Sequence, residues 1–160
     1  MRTWLVALLS LPLLAGGVGT VAFKQTSFLA EVAATEPEKA KGLMYRQSLA
    51  KDRCMFFVYA EEGVHAIWMK NCLIALDVAW VDAEGKVVET TEHVPPCSPM
   101  RGDDCPTYGG TASSRYFIEF PAGTFKRLGL KKGDHLGWDL TLDDGRGVRG
   151  GAPMPKAKKK

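Results

Sequence analysis

The side chains best suited to chemistry lie within residues 67–77, which combine an indole, an ammonium, an amide and a carboxylate. Strand alternation puts Trp68 and Lys70 on one face. The chain then breaks at Asn71 before a second apolar strand that carries Asp77 between two alanines on its face. A carboxylate in such apolar surroundings needs a partner. The combination predicts a polar pocket with one aromatic wall, suited to a small polar or sugar-like ligand.

Two residues from other segments complete this predicted site. Arg46 belongs to an earlier turn and, with Lys70, is the nearest cation available to Asp77 in the expected topology. Tyr108 follows Pro106 in a loop, where it would either close over the pocket or pack only that loop. The alternative for Arg46 and Asp77 is a structural ion pair that locks the turn onto the sheet. The predicted ligand-binding set is Arg46, Trp68, Lys70, Asn71, Asp77 and Tyr108.

Three classes of function are open from these residues. The one we favour is a non-enzymatic binding module for a small polar ligand or an envelope partner. The second is a cell-envelope hydrolase that uses Asp77 as its acid or base, which requires a cleft that holds water beside this carboxyl. The third is a structural interaction module, in which the same motif holds the fold together and replacing Arg46 with alanine unfolds the domain.

Neither a metal nor a cofactor is predicted, and no catalytic residue is assigned. The three histidines, His65, His93 and His135, are far apart in sequence, and most of the methionines stand among apolar neighbours, as core residues do. There is no Cys-x-x-Cys pair of the kind that thiol-redox proteins use. No nucleophile-elbow pattern surrounds any serine.

The elements expected to position these side chains are mostly strands. Short apolar runs joined by tight turns, with little helix, predict a mainly β fold: a single β-sandwich or flattened barrel of about seven strands. Thr35 and Glu38 have the spacing of a capping box, which predicts a short helix from Glu36 to Lys41. A second short helix is expected near residues 125–128. The predicted strands are 28–34, 55–59, 65–70, 74–82, 87–94, 115–120 and 136–142.

The two ends of the chain differ in composition from the β domain predicted at residues 24–145. Residues 1–23 have one charge near the start, then a long apolar run and small residues, which predicts a secretory signal peptide or an uncleaved N-terminal membrane anchor. The protein is therefore expected in the periplasm or outside the cell, or alternatively anchored to the inner membrane. Residues 146–160 carry six cations and no acid. They are predicted to be a disordered basic tail with, at most, weak contact to an anionic membrane.

The net charge of +3 does not describe the domain. Without the six cations of the tail and Arg2, 14 basic residues remain against 18 acidic ones, so that residues 23–145 carry about −4. A basic face for nucleic acid is therefore not expected.

The four cysteines favour disulfides, because their number is even and the chain is expected to be exported. Cys97 and Cys105 bracket a loop rich in proline, glycine and aspartate, where a short crosslink stabilises most directly. Cys54 and Cys72 would face each other if the strand at 55–59 paired antiparallel with the strand at 65–70. Of the three connectivities that four cysteines permit, we prefer Cys54–Cys72 with Cys97–Cys105.

Five short blocks of this chain resemble a known family, the bacterial domain of unknown function 192. The resemblance covers residues 28–138 and implies a compact, mainly β fold, often exported, with no established activity. The blocks are Gly-Leu-Met-Tyr-Arg at 42–46, Met-Phe-Phe-Val at 55–58, Trp-Met-Lys-Asn at 68–71, Leu-Asp at 76–77, and Glu119 before Pro-Ala-Gly at 121–123.

Departures from the family pattern bear on the cysteines. Cys54 stands where the family usually has glycine, and Cys72 where it usually has threonine. Because both substitutions fall on segments expected to be neighbours, the resemblance strengthens the prediction of a Cys54–Cys72 bridge. Ala75 replaces a usual proline and leaves the turn after Asn71 less rigid.

Overall fold

The computed structural model describes residues 16–155 of the chain. These residues form ten strands, two short α-helices and one 3-10 turn, joined by loops. The predicted mainly β fold is confirmed, with more strands than the seven expected. The helices are α1 (Glu36–Lys41) and α2 (Thr124–Leu128), and the 3-10 turn is Pro99–Arg101. The strands are β1 (Val18–Phe23), β2 (Thr26–Ala33), β3 (Arg53–Gly63), β4 (Ile67–Trp68), β5 (Leu76–Val81), β6 (Val87–Val94), β7 (Thr107–Tyr108), β8 (Ser114–Pro121), β9 (Gly137–Thr141) and β10 (Gly147–Gly151).

Eight of the strands form one curled sheet in the order β10-β9-β1-β2-β3-β8-β5-β6. Its ends approach each other where the start of β6 meets the segment before β9. There the Val87 N–H donates to the Asp134 carbonyl at 2.8 Å, and the Leu136 N–H donates to the Gly85 carbonyl at 2.8 Å. The sheet is therefore close to a flattened barrel, as the sequence predicted.

The remaining two strands, β4 and β7, pair only with each other in a small sheet outside the barrel. Trp68 lies opposite Thr107, and Ile67 lies opposite Tyr108. The Cys97–Cys105 disulfide, which confirms the sequence prediction, closes the loop that leads into β7. We call β4, β7 and the loop of residues 95–106 the flap.

Alternating side chains of β3, β5 and β8 enter two separate cores on opposite faces of the sheet. The barrel core contains Phe56 and Ile118 and is closed by Phe125 of α2. The flap core contains Phe57 and Phe117, whose rings stack at 4.1 Å between centroids, and the flap covers it. A shift of one residue along any of these strands would exchange the two faces.

The N-terminal boundary of the domain lies earlier than predicted. Residues 18–23 were assigned to the signal peptide or anchor, but they form β1, which pairs with both β2 and β9. The apolar residues that resembled the end of a leader, Val21, Ala22 and Phe23, are buried in the fold. The rest of the predicted leader, residues 1–15, lies outside the described residues. Within residues 16–155, no helix has the length and apolarity needed to cross a membrane.

The C-terminal boundary also needs correction, because part of the predicted disordered tail is strand β10 on the edge of the sheet. Its glycines have a packing role. A Cβ on Gly150 would lie 2.6 Å from the Trp138 ring, and one on Gly151 would lie 1.9 Å from the Leu136 carbonyl oxygen. Only glycine allows the strand to approach this closely. Residues 156–160 lie outside the described part of the chain.

The predicted Cys54–Cys72 disulfide is wrong, and both residues are buried free thiols. The expected hairpin between the two strands does not form. β3 pairs instead with β2 in parallel and with β8 in antiparallel fashion. Cys54 therefore points into the barrel core and Cys72 into the flap core. The sequence offered the next strand along the chain as a neighbour but gave no local signal for the true partners, β2 and β8.

Candidate functional site

Asp77, the acid at the centre of the predicted site, lies in the barrel core with an exposed fraction of 1%. Its Oδ1 accepts a hydrogen bond from the His93 N–H at 2.9 Å, and its Oδ2 accepts one from the Phe125 N–H at 2.9 Å. The carboxylate thereby fixes the end of β6 and the start of α2. Both oxygens are occupied by backbone donors, so this side chain acts as a structural clamp.

Arg46 is also separate from Asp77. Its guanidinium forms a two-pronged ion pair with Glu31 of β2, with Nη1–Oε1 at 2.9 Å and Nη2–Oε2 at 2.5 Å. The hydrogen bonds to Glu31 raise the pKa of Arg46. The pair is partly buried, with 28% of the Arg46 side chain and 12% of the Glu31 side chain exposed. The predicted ion pair that holds the turn to the sheet thus exists, but with a different acid.

Asn71 joins two of the five blocks that carry the family resemblance, those at residues 42–46 and 68–71. Its carbonyl accepts a hydrogen bond from the Tyr45 N–H at 2.8 Å, and its side-chain amide donates to the Met44 sulfur at 3.8 Å. Both Tyr45 and Asn71 adopt left-handed backbone conformations, with φ of 60° and 56°. Asparagine tolerates this conformation better than most residues. We call this contact the Tyr45–Asn71 clasp.

Trp68, Lys70 and Tyr108 do come together, on the flap. The Trp68 indole N–H donates to the Cys105 carbonyl at 3.0 Å, and 44% of the residue is exposed. The Lys70 ammonium lies 4.8 Å from the centroid of the Trp68 ring and pairs with Asp103. Tyr108 lies on β7 opposite Ile67. The six predicted residues are therefore divided among four places, and of the six only Trp68 lines the cavity described next.

That site is a cavity of about 170 Å³ between α1, β3, β8 and the flap. Its walls combine aromatic and aliphatic side chains, Trp68 among them, with polar groups such as those of Lys39, Tyr59 and Glu119. A mixture of apolar surface and convergent polar groups is found in most small-molecule sites. The lining residues are Lys39, Ala40, Lys41, Gly42, Leu43, Met44, Phe57, Tyr59, Ala66, Ile67, Trp68, Met69, Cys72, Phe117 and Glu119.

Glu119 is the unusual member of this lining. It lies on β8 directly opposite Val78 of β5 and points to the flap face. Only 7% of the residue is exposed, and its Oε2 has no hydrogen-bond partner among the described residues. Burial raises the pKa of Glu119 to about 8, because the charged form would lose its hydration. The side chain is therefore largely a neutral acid at pH 7 and can donate one hydrogen bond.

The other polar groups of the cavity lie around this acid. Burial, aided by the nearby Glu119 carboxyl, raises the pKa of the Cys72 thiol to about 11. Burial and the charges of Glu36 and Glu119 raise the pKa of Tyr59 to about 12. Both groups are therefore neutral at pH 7. The Lys39 ammonium lies 4.2 Å from the centroid of the Tyr59 ring and bonds Glu36 at 2.6 Å.

This arrangement can bind a small molecule but lacks an evident nucleophile. The Cys72 thiol is the nearest candidate, and its raised pKa makes it less reactive than an exposed thiol. Within residues 16–155, no three His, Cys, Asp or Glu side chains are grouped to hold a metal ion.

Sequence reasoning did not select Glu119, although a signal was present. Glu119 shares a strand face with Arg115 and Phe117, and the sequence reasoning did not decide whether this face is covered. In the structure Phe117 is buried, so the far end of this face is apolar and covered. An acid beyond a buried aromatic residue on the same face is a better candidate than an acid between alanines, because the aromatic residue marks a covered surface.

Comparison with known proteins gives one family and two solved structures. The model of the family DUF192, described as "Uncharacterized ACR", matches residues 19–138. A protein of Sinorhizobium meliloti 1021, provisionally described as a transcription regulator, is 28% identical with a TM-score of 0.68, over 78% of this chain and 94% of that one. A protein of unknown function from Novosphingobium aromaticivorans DSM 12444 is 28% identical with a TM-score of 0.66, over 76% of this chain and 84% of that one. No curated protein matches.

Proposed function

The chain belongs to the DUF192 family, and from this premise we propose that it is a non-enzymatic binding domain for a small molecule held in the cavity beside the flap. The observation that carries the proposal is Glu119. A carboxyl that is more than nine-tenths buried, with an oxygen lacking a partner, costs about 1–3 kcal/mol of stability. A ligand that accepts the hydrogen bond of this acid would recover that cost.

The side chains around Glu119 support a role in ligand binding over a purely structural role. Phe57, Tyr59 and Phe117 provide an apolar surface that a ligand can cover. Lys39 brings a charge to the lining, and its side chain is only 10% exposed, so its aliphatic part packs in the cavity wall. An apolar cavity with a few convergent polar groups is the usual form of a small-molecule site.

The hydrolase alternative has no comparable support. It required Asp77 to face a cleft, whereas both Asp77 oxygens accept backbone hydrogen bonds inside the barrel core. The interaction-module alternative agrees with the Arg46–Glu31 pair and the Asp77 clamp, which hold parts of the fold together. It does not account for the Glu119 oxygen beside the cavity that has no partner within residues 16–155.

We further propose that the domain works in the periplasm or outside the cell. The Cys97–Cys105 disulfide supports this location, because such bonds persist mainly in oxidising compartments. Fractionation of cells that express the full chain would test it, with recovery in the cytoplasm as the contrary result.

The binding proposal is tested by a fragment screen on the full chain, read from ¹H–¹⁵N spectra. We expect hits to shift the amides of Tyr59, Cys72 and Glu119 together with the Trp68 indole. The variant Ala66→Trp narrows the cavity at an exposed lining position and should abolish these shifts. Val64→Trp is the matched control, since Val64 is 67% exposed and does not line the cavity. Hits that survive Ala66→Trp unchanged would refute the assignment of the cavity.

A further inference from the structure

We propose that the cavity selects a small monocarboxylate with an apolar body about the size of a benzene ring, whose carboxylate accepts a hydrogen bond from the protonated Glu119 side chain. This inference rests on the proposed function and names the chemical class of its ligand. It follows from the size of the cavity, the nature of its walls and the sign of its charges.

The size of the cavity limits the body of the ligand. Its volume is about 170 Å³, and an apolar protein cavity of about 150 Å³ accommodates benzene. Phe57, Met69 and Phe117 form apolar walls with aromatic faces and a thioether. These walls provide contact surface for a flat or branched hydrocarbon group.

The charges of the cavity set the sign of the polar group. Lys39 and Lys41 both line the cavity, and Glu119 is the one acid in its lining. Glu36 pairs with Lys39 at 2.6 Å, but 88% of the Glu36 side chain is exposed and this acid does not line the cavity. With Glu119 neutral, the lining contains two ammonium groups and no ionised acid, and this favours an anion over a cation.

The groups that line the cavity with Glu119 leave this acid as the main titrating group of the lining near pH 7. His65 stacks on Tyr59 at 3.6 Å between ring centroids but does not line the cavity, and burial lowers its pKa. β3 contributes the Tyr59 hydroxyl, and the turn after β4 contributes the Cys72 thiol. Both groups stay neutral because their pKa values are raised to about 12 and about 11. β5 presents Val78, which does not titrate, and α1 presents Lys39 and Lys41. Since burial raises the pKa of Glu119 to about 8, loss of its proton above that pH would turn a donor into a repelling charge.

Titration calorimetry on the full chain with benzoate, benzamide and benzylamine at pH 7 and pH 9 tests this inference. We expect benzoate to bind most tightly at pH 7, and to bind about tenfold more weakly at pH 9, as the loss of one proton with this pKa requires. Benzamide should bind more weakly than benzoate and benzylamine weakest. If benzylamine binds most tightly at both pH values, the ligand is not a carboxylate, although the cavity still binds small molecules.

Two variants separate the roles of the acid and the ammonium. Glu119→Gln keeps an N–H donor but has no titrating proton, so benzoate binding should become equal at pH 7 and pH 9. Lys39→Met should weaken benzoate about tenfold, since it removes a charged partner, and leave benzamide unchanged. If Glu119→Gln does not fold, the pH series of the wild type and Lys39→Met still decide the outcome. An unchanged benzoate affinity at pH 9 in the wild type overturns the inference. No binding of any probe, together with an empty fragment screen, overturns the proposed function as well.

Discussion

Asp77 and Glu119 lie on the neighbouring strands β5 and β8, one residue out of register, and both are more than nine-tenths buried. Asp77 faces the barrel core, where two backbone N–H groups satisfy its oxygens. Glu119 faces the flap core, where its Oε2 has no partner among the described residues. The two acids are buried to a similar depth. They differ in the hydrogen-bond donors that each face of the sheet supplies. A satisfied buried acid holds structure, whereas an unsatisfied one beside a cavity is available to a ligand.

Removing Asp77 should have the largest effect on stability. Asp77→Ala leaves the His93 and Phe125 N–H groups without acceptors, and each unsatisfied buried donor costs about 1–3 kcal/mol. We expect the free energy of unfolding, measured by urea denaturation, to fall by about 3–5 kcal/mol. Asp77→Asn keeps one carbonyl acceptor and should lose less. A loss below about 1 kcal/mol for Asp77→Ala would contradict the clamp.

The pH dependence of stability should reveal the opposite character of Glu119. Its folded pKa of about 8 lies above the ordinary value of 4.5. The folded state therefore keeps a proton that the unfolded state has lost, and stability falls as pH rises between these values. Between pH 6 and pH 8 we expect the free energy of unfolding to fall by roughly 2 kcal/mol from this group.

Glu119→Gln isolates this contribution, because it removes the titrating proton and keeps the shape of the side chain. The variant should lose the decline between pH 6 and pH 8, whereas Asp77→Asn should retain it. Urea denaturation at each pH provides the measurement. A Glu119→Gln variant with the same decline as the wild type would show that another group is responsible.

The two free thiols extend the comparison between the faces. Cys54 is fully buried in the barrel core, and Cys72, 5% exposed, borders the cavity. Burial raises the pKa of both thiols, so both should react slowly. We expect iodoacetamide to label Cys72 several-fold faster than Cys54 in the native protein, as seen by mass spectrometry, because local openings of the flap reach Cys72 first. Equal rates under native conditions would show that global unfolding controls both sites.

The smallest effect should come from the exposed ion pair on the flap. Lys70 bonds Asp103, whose side chain is 83% exposed. Exposed pairs of this kind contribute little, because water screens them and ordering the side chains costs entropy. Lys70→Ala should change the free energy of unfolding by less than about 0.5 kcal/mol in the same urea assay. A loss comparable to that of Asp77→Ala would mean that the flap, rather than the clamp, stabilises the domain.

Features encoded within a few residues were predictable from the sequence. The capping box is one, since the Glu38 carboxylate accepts the Thr35 N–H at 2.9 Å. The Cys97–Cys105 disulfide is another, because its partners are eight residues apart. The mainly β class also follows from alternation along single strands.

Features that depend on distant pairing were not predictable. β3 has its partners in β2 and in β8, and β8 lies some sixty residues along the chain. The short strand β4 pairs with β7, which is equally short and has no strand pattern of its own. Without these pairings, the sequence could not show that backbone N–H groups satisfy Asp77 and that Glu119 lacks such donors within residues 16–155. Trp68, predicted as the aromatic wall of a site, lines the cavity, whereas the place of Glu119 in the lining required the sheet itself.

The Tyr45–Asn71 clasp has a mechanical consequence. One backbone hydrogen bond ties the segment after α1 to the turn after β4, and both segments contribute to the cavity wall, Leu43 and Met44 from one and Met69 and Cys72 from the other. A ligand that pushes Met44 outward would therefore strain the clasp and pull on the turn that follows Trp68. We expect the emission of this tryptophan to change when the cavity is filled.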